Sequence, residues 1–542
     1  MFFFAAAGKA KKFAEDIENG TVYDIMAFES SDCAQLKIRR WARGSKRRQV
    51  TMKLGQIMKN IAFTAEHYDS SVEIADVVYD SRKVTPGALF VCITGFQADG
   101  HGFAENAYSR GARVFAVEKD ISLPSDAIVL KVENTRILLA LASANFFGNP
   151  AEKLNIIALT GTKGKTSTSF MLKSIYEAAG RKVGVIGTTG TYIGSRFFEN
   201  ENSTPESYLL HKYFAEMVAE GCDTAIIEAT SQGFMLHRTY GINFSTGIFT
   251  NLSPDHIGAA EHRDFDDYLN CKKRIFTQSG RMIVNADCEF FARIIEGAVC
   301  PIITYGKDES ADFSFSDPEF GIQGNRLLTT FTCREHGCDH RMGITAPGYF
   351  SLYNATSAIA AARQDGISYE EIQAGLHTAF VKGRMEIVPT GMDYTVIIDF
   401  AHNEYSVKTL FETIRLYKPN RIISVFGCGG NRSRLRRYSM GEVIGRNSDL
   451  SVITSDNPRY ESVDSIIEDI LVGMSRTDGK YIIVPDRAEA IKKALSEAGK
   501  GDVVLLIGKG HELYEEIEGI KYHFDEREVV REALSEALPK DN

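Results

Sequence analysis

A short glycine-containing stretch between a strand pattern and a helix pattern constrains the fold of this chain more than any other feature. Residues 154–159 form an apolar run typical of a buried strand, and residues 169–176 have the pattern of a helix. Residues 160–167, between them, read Thr-Gly-Thr-Lys-Gly-Lys-Thr-Ser. A turn of this kind directs backbone N–H groups and a helix N-terminus at one point, which attracts phosphate. The predicted phosphate loop consists of Gly161, Thr162, Lys163, Gly164, Lys165, Thr166 and Ser167.

Two side chains of this loop suit nucleotide chemistry. Lys165 can reach the outer phosphates, and the hydroxyl of Thr166 can bind Mg²⁺. The usual pattern has a glycine five residues before Gly164, where this chain has Leu159, so we interpret the loop as a shortened variant that begins at Gly161. The alternative is an ordinary strand–turn–helix joint with a surface lysine. The order of strand, loop, Lys-Thr and helix favours the phosphate site.

Length and composition set the class of protein. The 542 residues suffice for about three domains. Hydrophobic residues make up 44% and charged residues 25%, as in globular proteins, and no apolar run approaches the ~20 residues of a membrane span. The net charge of −9 argues against a general nucleic-acid binder. Nine cysteines without a disulfide framework suggest the reducing cytoplasm.

Residues 1–52 differ from the rest, because they carry ten Lys or Arg against six Asp or Glu. The basic run around Arg39, Arg40 and Trp41 could contact an anionic surface or nucleic acid. A basic run alone is a weak signal. We therefore favour a solvated extension, or a stretch upstream of a start at Met52.

Polar residues follow successive strand patterns in the central part of the chain. Glu228 ends the run 224–227, and Asn251, Asp255 and His256 follow the run 247–250. Carboxyl ends of parallel strands share one edge of an open sheet, where α/β proteins bind ligands, and a carboxylate near a phosphate loop commonly holds Mg²⁺. Each alone could be a capped loop, but together they predict a site. Residues 203–206, Ser-Thr-Pro-Glu, are expected to open a helix with hydroxyl caps.

Four side chains near residue 336 have a metal-like composition. They lie on a predicted hairpin with its tip at residues 335–337. Zinc ligands usually pair across longer, more regular spacings, so we favour a hairpin without metal. The four residues are Cys333, His336, Cys338 and His340.

The last part of the chain alternates strands and helices, which predicts a doubly wound sheet. Its strand patterns end in Asp399 and His402, in residues 455–459 and in residues 508–512. The glycine loops lack the G-x-G-x-x-G pattern, so a nicotinamide cofactor is not expected.

In this order the motifs resemble the Mur ligase family, and within it the UDP-N-acetylmuramoyl-tripeptide synthetases, from about residue 53 to the end. The resemblance implies an α/β fold of three domains: a UDP-sugar-binding domain (53–151), a central ATP-binding domain with a P-loop ATPase-like parallel sheet (152–382), and a Rossmann-like doubly wound domain that binds the amino acid (383–542). Residues 1–52 stay outside it as a basic extension.

The resemblance also assigns roles to residues. It implies that Lys165, Glu228, His256 and Lys272 are catalytic, that Thr166, Glu228, His256 and Lys272 hold Mg²⁺, and that Lys272 is carbamylated to N6-carboxylysine. Beside the phosphate loop, it implies ATP contacts from Asn251, Asn354, Arg384, Asp399 and His402. It implies contacts to the UDP-linked substrate from Ser81, Ser203, Thr204, Thr230 and Arg238.

The amino-acid specificity depends on the last domain. Asp456, Asn457, Pro458 and Arg459 resemble the form found in enzymes that add meso-diaminopimelate, and Gly508 and Glu512 match the partner motif. Arg459 could grip the distal carboxylate bidentately and Glu512 the distal ammonium. L-Lysine has no distal carboxylate, so it would leave Arg459 unpaired.

The implied reaction joins this amino acid to UDP-MurNAc-L-Ala-D-Glu at the expense of ATP, through an acyl phosphate, for peptidoglycan precursor synthesis. We expect small-molecule substrates, no nucleic acid, a monomer and a cytoplasmic location. Three alternatives remain open. They are addition of L-lysine or L-ornithine, a related ligase such as folylpolyglutamate synthase, and a non-catalytic nucleotide-binding protein.

Overall fold

A computed structural model describes residues 51–95, 98–254, 257–258, 261–323 and 326–537, together with the backbone pairing of strands β1 (Tyr23–Asp24) and β2 (Arg39–Arg40). The predicted basic patch and both Asp255 and His256 therefore lie outside the residues described in full. Within the described helices, none combines the length and apolar character needed to span a bilayer.

The first sheet is small and wholly parallel, in the order β5-β6-β7-β8. Its strands are buried on both faces, so Leu89 and Val91 of β6 enter one core while Ala88 and Phe90 enter the other. The elements are β3 (Met52–Lys53), α1 (Leu54–Ile57), β4 (Glu73–Ile74), β5 (Asp76–Val78), β6 (Ala88–Val91), α2 (Ala104–Ser109), β7 (Val114–Val117), β8 (Ile128–Lys131) and α3 (Thr135–Phe146), with 3₁₀ turns at Ser81–Lys83, Gly100–Phe103 and Pro150–Lys153.

The central sheet has eleven strands among the described residues, in the order β12-β11-β10-β13-β9-β14-β15-β16-β17-β18-β19. In this spatial order, the seven strands β10-β13-β9-β14-β15-β16-β17 pair in parallel. Antiparallel strands extend both edges, with β11 and β12 beside β10 and with β18 and β19 beside β17. The strands are β9 (Asn155–Thr160), β10 (Val183–Gly187), β11 (Gly190–Ile193), β12 (Arg196–Phe198), β13 (Thr224–Glu228), β14 (Thr246–Phe249), β15 (Met282–Asn285), β16 (Ile302–Gly306), β17 (Phe313–Gln323), β18 (Arg326–Glu335) and β19 (Cys338–Ile344).

Helices cover both faces of this sheet. Ile157 and Leu159 of β9 pack into one core, and Ile156 and Ala158 into the other, because side chains alternate along a strand. This double burial explains the continuous apolar run seen in the sequence. The helices are α4 (Lys165–Ala178), α5 (Ser207–Ala219), α6 (Ser231–Met235), α7 (Phe265–Gln278), α8 (Phe291–Ile295), α9 (Tyr349–Gln364) and α10 (Tyr369–Thr378).

The last sheet has the order β20-β21-β25-β22-β23-β24, parallel except for β20. This is the predicted doubly wound arrangement, with helices on both faces. The elements are β20 (Glu386–Val388), β21 (Thr395–Asp399), α11 (Glu404–Arg415), β22 (Ile422–Phe426), α12 (Arg434–Asn447), β23 (Leu450–Ile453), α13 (Val463–Met474), β24 (Tyr481–Ile483), α14 (Arg487–Glu497), β25 (Val503–Ile507), β26 (Tyr514–Ile517), β27 (Ile520–His523) and α15 (Glu526–Ala537).

Contacts tie the three sheets together. Tyr208 on α5 donates a hydrogen bond of 2.7 Å to Asp76 on β5. Leu327 on β18 packs into the core of the last sheet, and Thr329 and Tyr417 share a hydrogen bond of 2.5 Å. Each parallel sheet lies within one of the three predicted domains, and the boundaries between those domains stay predictions.

Candidate functional site

The phosphate loop connects β9 to α4 as predicted, and two of its glycines have backbone angles that disfavour other residues. Gly161 has φ +137° and Gly164 has φ +88°. A Cβ at position 164 would lie 2.4 Å from Oδ1 of Asn354, which brings this predicted ATP contact against the loop. Helix α4 begins at Lys165, so its free N–H groups face the loop. The geometry suits an anion.

Lys165 bends back onto its own loop. Its Nζ donates to the carbonyl of Gly161 at 2.7 Å and to that of Thr162 at 3.3 Å. A phosphate is a stronger partner for an ammonium group than a neutral carbonyl. The lysine therefore stands where it can turn from the loop to a bound nucleotide.

The neighbours of β9 in the sheet bring two predicted residues beside the loop. Strands β13 and β14 flank β9, so Glu228 arrives from one side and Asn251 from the other. Asn251 accepts from the N–H of Lys163 at 2.9 Å and donates to the carbonyl of the same residue at 3.0 Å. Asn251 thus fixes the loop through both the oxygen and the nitrogen of its side-chain amide.

Glu228 is buried and has polar partners on both carboxylate oxygens. Thr166 donates to Oε1 at 2.9 Å, while Thr188 donates through its N–H to Oε1 at 3.1 Å and through its hydroxyl to Oε2 at 2.9 Å. A hydroxyl and a carboxylate in contact beside a phosphate loop are oxygen ligands of the type Mg²⁺ prefers. Thr188 was not selected from the sequence, since a threonine after a strand carries no signal of its own.

The structure distinguishes Lys272 from its neighbour Lys273, which the sequence pattern does not. Lys272 is 2% exposed and donates to the carbonyl of Gly161 at 2.9 Å, whereas Lys273 reaches the carbonyl of Arg293. The Nζ of Lys272 also lies 4.7 Å from the ring centre of Tyr268, whose hydroxyl is 3.1 Å from the hydroxyl of Thr162. Tyr268 is a second site residue missed by sequence reasoning.

The predicted muramoyl-dipeptide residues form one hydrogen-bonded group next to Glu228. Thr204 donates to the carbonyl of Glu228 at 2.8 Å, and its hydroxyl is 2.9 Å from that of Thr230. Arg238 donates to the carbonyl of Thr204 at 2.9 Å. Ser203 lies 2.8 Å from Thr188, which links this group to the carboxylate of Glu228.

The expectation that residues 203–206 open a helix with hydroxyl caps is wrong. Helix α5 begins at Ser207, after Glu206, and no side chain caps it. The hydroxyls of Ser203 and Thr204 instead bond across to the ends of β10 and β13. Those tertiary partners compete with the free N–H groups of the helix, and sequence spacing does not reveal them.

Ser81 lies on the first domain, in the 3₁₀ turn Ser81–Lys83. Asp80 caps this turn and holds the guanidinium of Arg82 at 2.9 Å. In the nearby second turn, His101 donates from Nδ1 to Asp99 at 2.6 Å and accepts the N–H of Glu118 at Nε2. Lys119 and His101 together hold the pKa of the Asp99 carboxyl well below its usual range. These motifs shape their loops, and the role of Ser81 stays a prediction.

Arg384 lines a cleft of about 780 Å³ between the central and last domains. Ser167 of the phosphate loop lines the same cleft, so a nucleotide seated on the loop has room beside Arg384. Asp399 is buried, and its carboxylate accepts the N–H groups of Met385 and Ala401, each at 2.7 Å. Burial raises the pKa of Asp399, while those hydrogen bonds oppose the shift.

A second cavity, of about 150 Å³, opens at the carboxyl edge of the last sheet. It unites residues from four separate strand ends, since β21, β25, β22 and β23 are neighbours in the sheet. Four arginines and two carboxylates give it both signs of charge. Its lining includes His402, Arg432, Arg436, Asp456, Asn457, Arg459, Gly508 and Glu512.

Arg459 and Glu512 are already oriented in this cavity. Arg459 donates to the carbonyl of Gly430 at 3.0 Å and to Glu516 at 3.2 Å. Glu512 accepts from the amide of Asn457 at 2.8 Å, and burial raises its pKa. The backbone of Pro458 packs against Gly430. His402 faces this cavity, so the structure places it with the predicted amino-acid residues.

The predicted hairpin around residue 336 is confirmed, with Glu335 opposite Cys338. Cys333 is buried, Cys338 is exposed, and the ring of His340 stacks on Tyr369 at 3.5 Å. Within the described part of the chain, these four residues do not form a metal-binding cluster.

Comparisons with known proteins agree with this arrangement. Models of the "Mur ligase family, catalytic domain", the "Mur ligase middle domain" and the "Mur ligase, glutamate ligase domain" match residues 73–154, 159–362 and 383–510. The UDP-N-acetylmuramoyl-L-alanyl-D-glutamate–2,6-diaminopimelate ligase 1 of Clostridium acetobutylicum is 41% identical over 488 residues, which cover 90% of this chain and 100% of that protein. The ligase of the same description from Clostridioides difficile is 39% identical, over 89% of this chain and 100% of that protein.

Solved structures lead to the same family. A UDP-N-acetylmuramoyl-L-alanyl-D-glutamate–2,6-diaminopimelate ligase superposes with a TM-score of 0.69 at 25% identity and covers 90% of this chain and 99% of its own. A Mycobacterium tuberculosis folylpolyglutamate synthase, complexed with ADP and AMPPCP, shares the fold at a TM-score of 0.53 and 17% identity, over 75% of this chain and 95% of its own. Because three family models match along the chain and a relative is 41% identical over 90% of it, the chain belongs to the Mur ligase family.

Proposed function

We propose that the chain is an ATP-dependent amide ligase that joins meso-diaminopimelate to UDP-MurNAc-L-Ala-D-Glu. The observation that carries the proposal is the hydrogen bond between Thr166 of the phosphate loop and Glu228. The paired hydroxyls of Thr204 and Thr230 lie next to this contact. This contact brings a nucleotide site and a candidate acyl-substrate site to one sheet edge. The relatives described above are named for the same reaction.

In the proposed reaction, a carboxylate oxygen of D-glutamate attacks the γ-phosphorus of ATP. The bond to ADP breaks, and an acyl phosphate forms. The amino group of diaminopimelate then attacks the acyl carbon, phosphate leaves with the bonding electrons, and the amine loses a proton to give the amide. The first step brings two anions together and the second expels an anionic phosphate, so Lys165 and the N–H groups of the loop would offset the charge.

Mg²⁺ would supply further neutralisation of the phosphates. Thr166 and Glu228 have the oxygen donors that suit it, and they already touch. His256 lies outside the described residues and remains a predicted ligand. Carbamylation of Lys272 would replace a cation with an anion at a buried position beside Gly161, which suits a second ion. Thr166, Glu228 and Lys272 thus form the described part of the proposed metal set.

The charge pattern of the 150 Å³ cavity favours meso-diaminopimelate. Arg459 can exchange its bond to the carbonyl of Gly430 for a distal carboxylate, and Glu512 can hold the distal ammonium. L-Lysine or L-ornithine would leave Arg459 without that partner. We further infer that the protein acts as a monomer in the cytoplasm, where ATP and UDP-linked sugars are made.

The test is release of phosphate from ATP in the presence of UDP-MurNAc-L-Ala-D-Glu and one amino acid at a time. We expect release with meso-diaminopimelate and little with L-lysine or L-ornithine. Release with one of the latter two would keep the ligase and contradict the specificity. Release with folate substrates alone would indicate a folylpolyglutamate-type ligase.

A variant pair separates catalysis from folding. Lys165→Ala should abolish turnover, whereas Lys173→Ala should not, because Lys173 lies on the outside of the same helix and pairs with Glu177. Normal turnover by Lys165→Ala would exclude the proposed role of the loop. Absence of turnover in the unaltered chain with every amino acid, despite ATP binding, would favour the non-catalytic alternative.

A further inference from the structure

Three side chains of types that commonly bind metal ions lie together at the start of α7. None of them belongs to the proposed Mg²⁺ ligands. Asp267 and Cys271 are four residues apart on this helix, so they project from the same face. His262 precedes the helix and folds onto that face, with its Nδ1 3.1 Å from Oδ2 of Asp267. The cluster joins a thiol, an imidazole and a carboxylate.

The spacing of the donor atoms suits a tetrahedral ion. One donor atom from each residue lies within 4.8 Å of the other two. The Sγ of Cys271 is 3.9 Å from Oδ1 of Asp267, beside the 3.1 Å contact from His262. A zinc ion with bonds of ~2.0–2.3 Å requires donors roughly 3.3–3.6 Å apart. Donor atoms up to 4.8 Å apart would therefore have to approach by at most about 1.2 Å to bind the ion.

Burial supports the assignment. The side chain of His262 is fully buried, Cys271 is 4% exposed, and the carboxylate of Asp267 remains 33% accessible. Among the described residues, Nε2 of His262 has no hydrogen-bond partner. The contact of Nδ1 with Asp267 is therefore the one polar interaction of this buried ring within that part of the chain. The two buried ligands would shield one side of the ion from solvent, and the accessible carboxylate would offer an entry path.

We propose that His262, Asp267 and Cys271 form a binding site for a thiophilic divalent cation, with Zn²⁺ as the preferred ion. A thiolate and an imidazole select zinc over magnesium, which prefers oxygen ligands alone. The three residues leave one tetrahedral position for water, as in open zinc sites. The proposal does not rest on the ligase reaction, because none of the three residues belongs to the proposed substrate or Mg²⁺ sets.

The ion would lie close to the nucleotide site. The ring of His262 packs edge-on against Tyr268 at 5.2 Å between centres, and Tyr268 contacts Thr162 of the phosphate loop. Cys271 is also the residue before Lys272. Zinc bound here would therefore restrain the helix that carries Lys272.

The test uses the full chain, stripped of metal and titrated with Co²⁺ and then Zn²⁺ in excess Mg²⁺. We expect one Co²⁺ per chain with thiolate-to-cobalt charge-transfer absorption, which one equivalent of Zn²⁺ removes. Cys271→Ser should abolish this absorption and weaken Zn²⁺ binding by more than about 100-fold, since even loss of an outer-sphere partner costs 10–100-fold. His262→Gln should weaken it similarly.

Cys338→Ser is the matched control, because this exposed cysteine belongs to the hairpin that also carries His336 and His340. It should leave the absorption and the Zn²⁺ affinity unchanged. Loss of the absorption in Cys338→Ser would move the site to the hairpin and overturn the proposal. So would its survival in Cys271→Ser, or its absence from the unaltered chain. Cys271→Ser is nearly isosteric, and a matching circular dichroism spectrum would show that it folds.

Discussion

Arg487 provides the sharpest test of how the 150 Å³ cavity at the carboxyl edge of the last sheet is built. Its side chain is fully buried at the start of α14, and so is that of its partner Glu526. Nε and Nη2 donate to Glu526 at 3.0 and 2.8 Å. The guanidinium also donates to the carbonyls of Ser455 at 2.8 Å and Ile507 at 3.0 Å. These carbonyls immediately precede Asp456 and Gly508, so one cation joins the two loops that carry the cavity.

Replacement of Arg487 by methionine keeps much of the volume and removes the charge. Glu526 would remain buried without its cation, and its second oxygen has no partner within the described chain. Breaking a buried ion pair in this way costs about 3–5 kcal/mol. The two carbonyls that lose a donor place the expected loss of unfolding free energy at the upper end of that range.

The assay is urea unfolding followed by far-ultraviolet circular dichroism, with Arg446→Met as the control. Arg446 pairs with Glu442 on the surface, at 57% exposure, so its loss should cost about 1 kcal/mol or less. Adding Glu526→Leu to Arg487→Met should recover most of the stability, because the unpaired charge is gone. Equal stability of Arg487→Met and Arg446→Met would refute the reasoning.

Three further predictions address the loop, a buried histidine and a domain contact. Gly164→Ala should lower nucleotide affinity at least tenfold in a binding titration, because its Cβ meets Asn354 at 2.4 Å; Gly148→Ala, also at positive φ but facing open space, should bind normally. Burial lowers the pKa of His211 from 6.5 to about 4, so the unfolded chain takes up a proton first and stability is lost as the pH falls from 6.5 to 4. His211→Phe should therefore gain stability relative to the unaltered chain across that window, by up to about 3 kcal/mol in denaturant unfolding, and an equal pH dependence would contradict this. Tyr208→Phe removes the bond to Asp76 and should cost about 1 kcal/mol in the same assay; no loss would mean that the contact is not formed in solution.

The sequence predicted the elements whose signal is local. The apolar run before residue 160 and the polar residues after it indicated strand, loop and helix, and the structure has β9 and α4 at these positions. Glu228 and Asn251 were predicted to share a sheet edge, and both lie beside the loop. Such features are readable because parallel strands buried on both faces need continuous apolar runs, and their polar ends mark one edge.

Contacts between distant segments were decided by the tertiary structure alone. Lys272 and Lys273 are equivalent in the sequence, and only the packing of α7 against β9 buries Lys272 fully and leaves Lys273 partly exposed. Thr188 is hydrogen-bonded to Glu228, forty residues further along the chain. Arg487 donates to the carbonyls of Ser455, which precedes it in the sequence, and of Ile507, which follows it. Sequence periodicity predicts which face of an element is buried. Which side chain meets which partner depends on how the elements pack, because hydrogen-bond geometry is satisfied only in three dimensions.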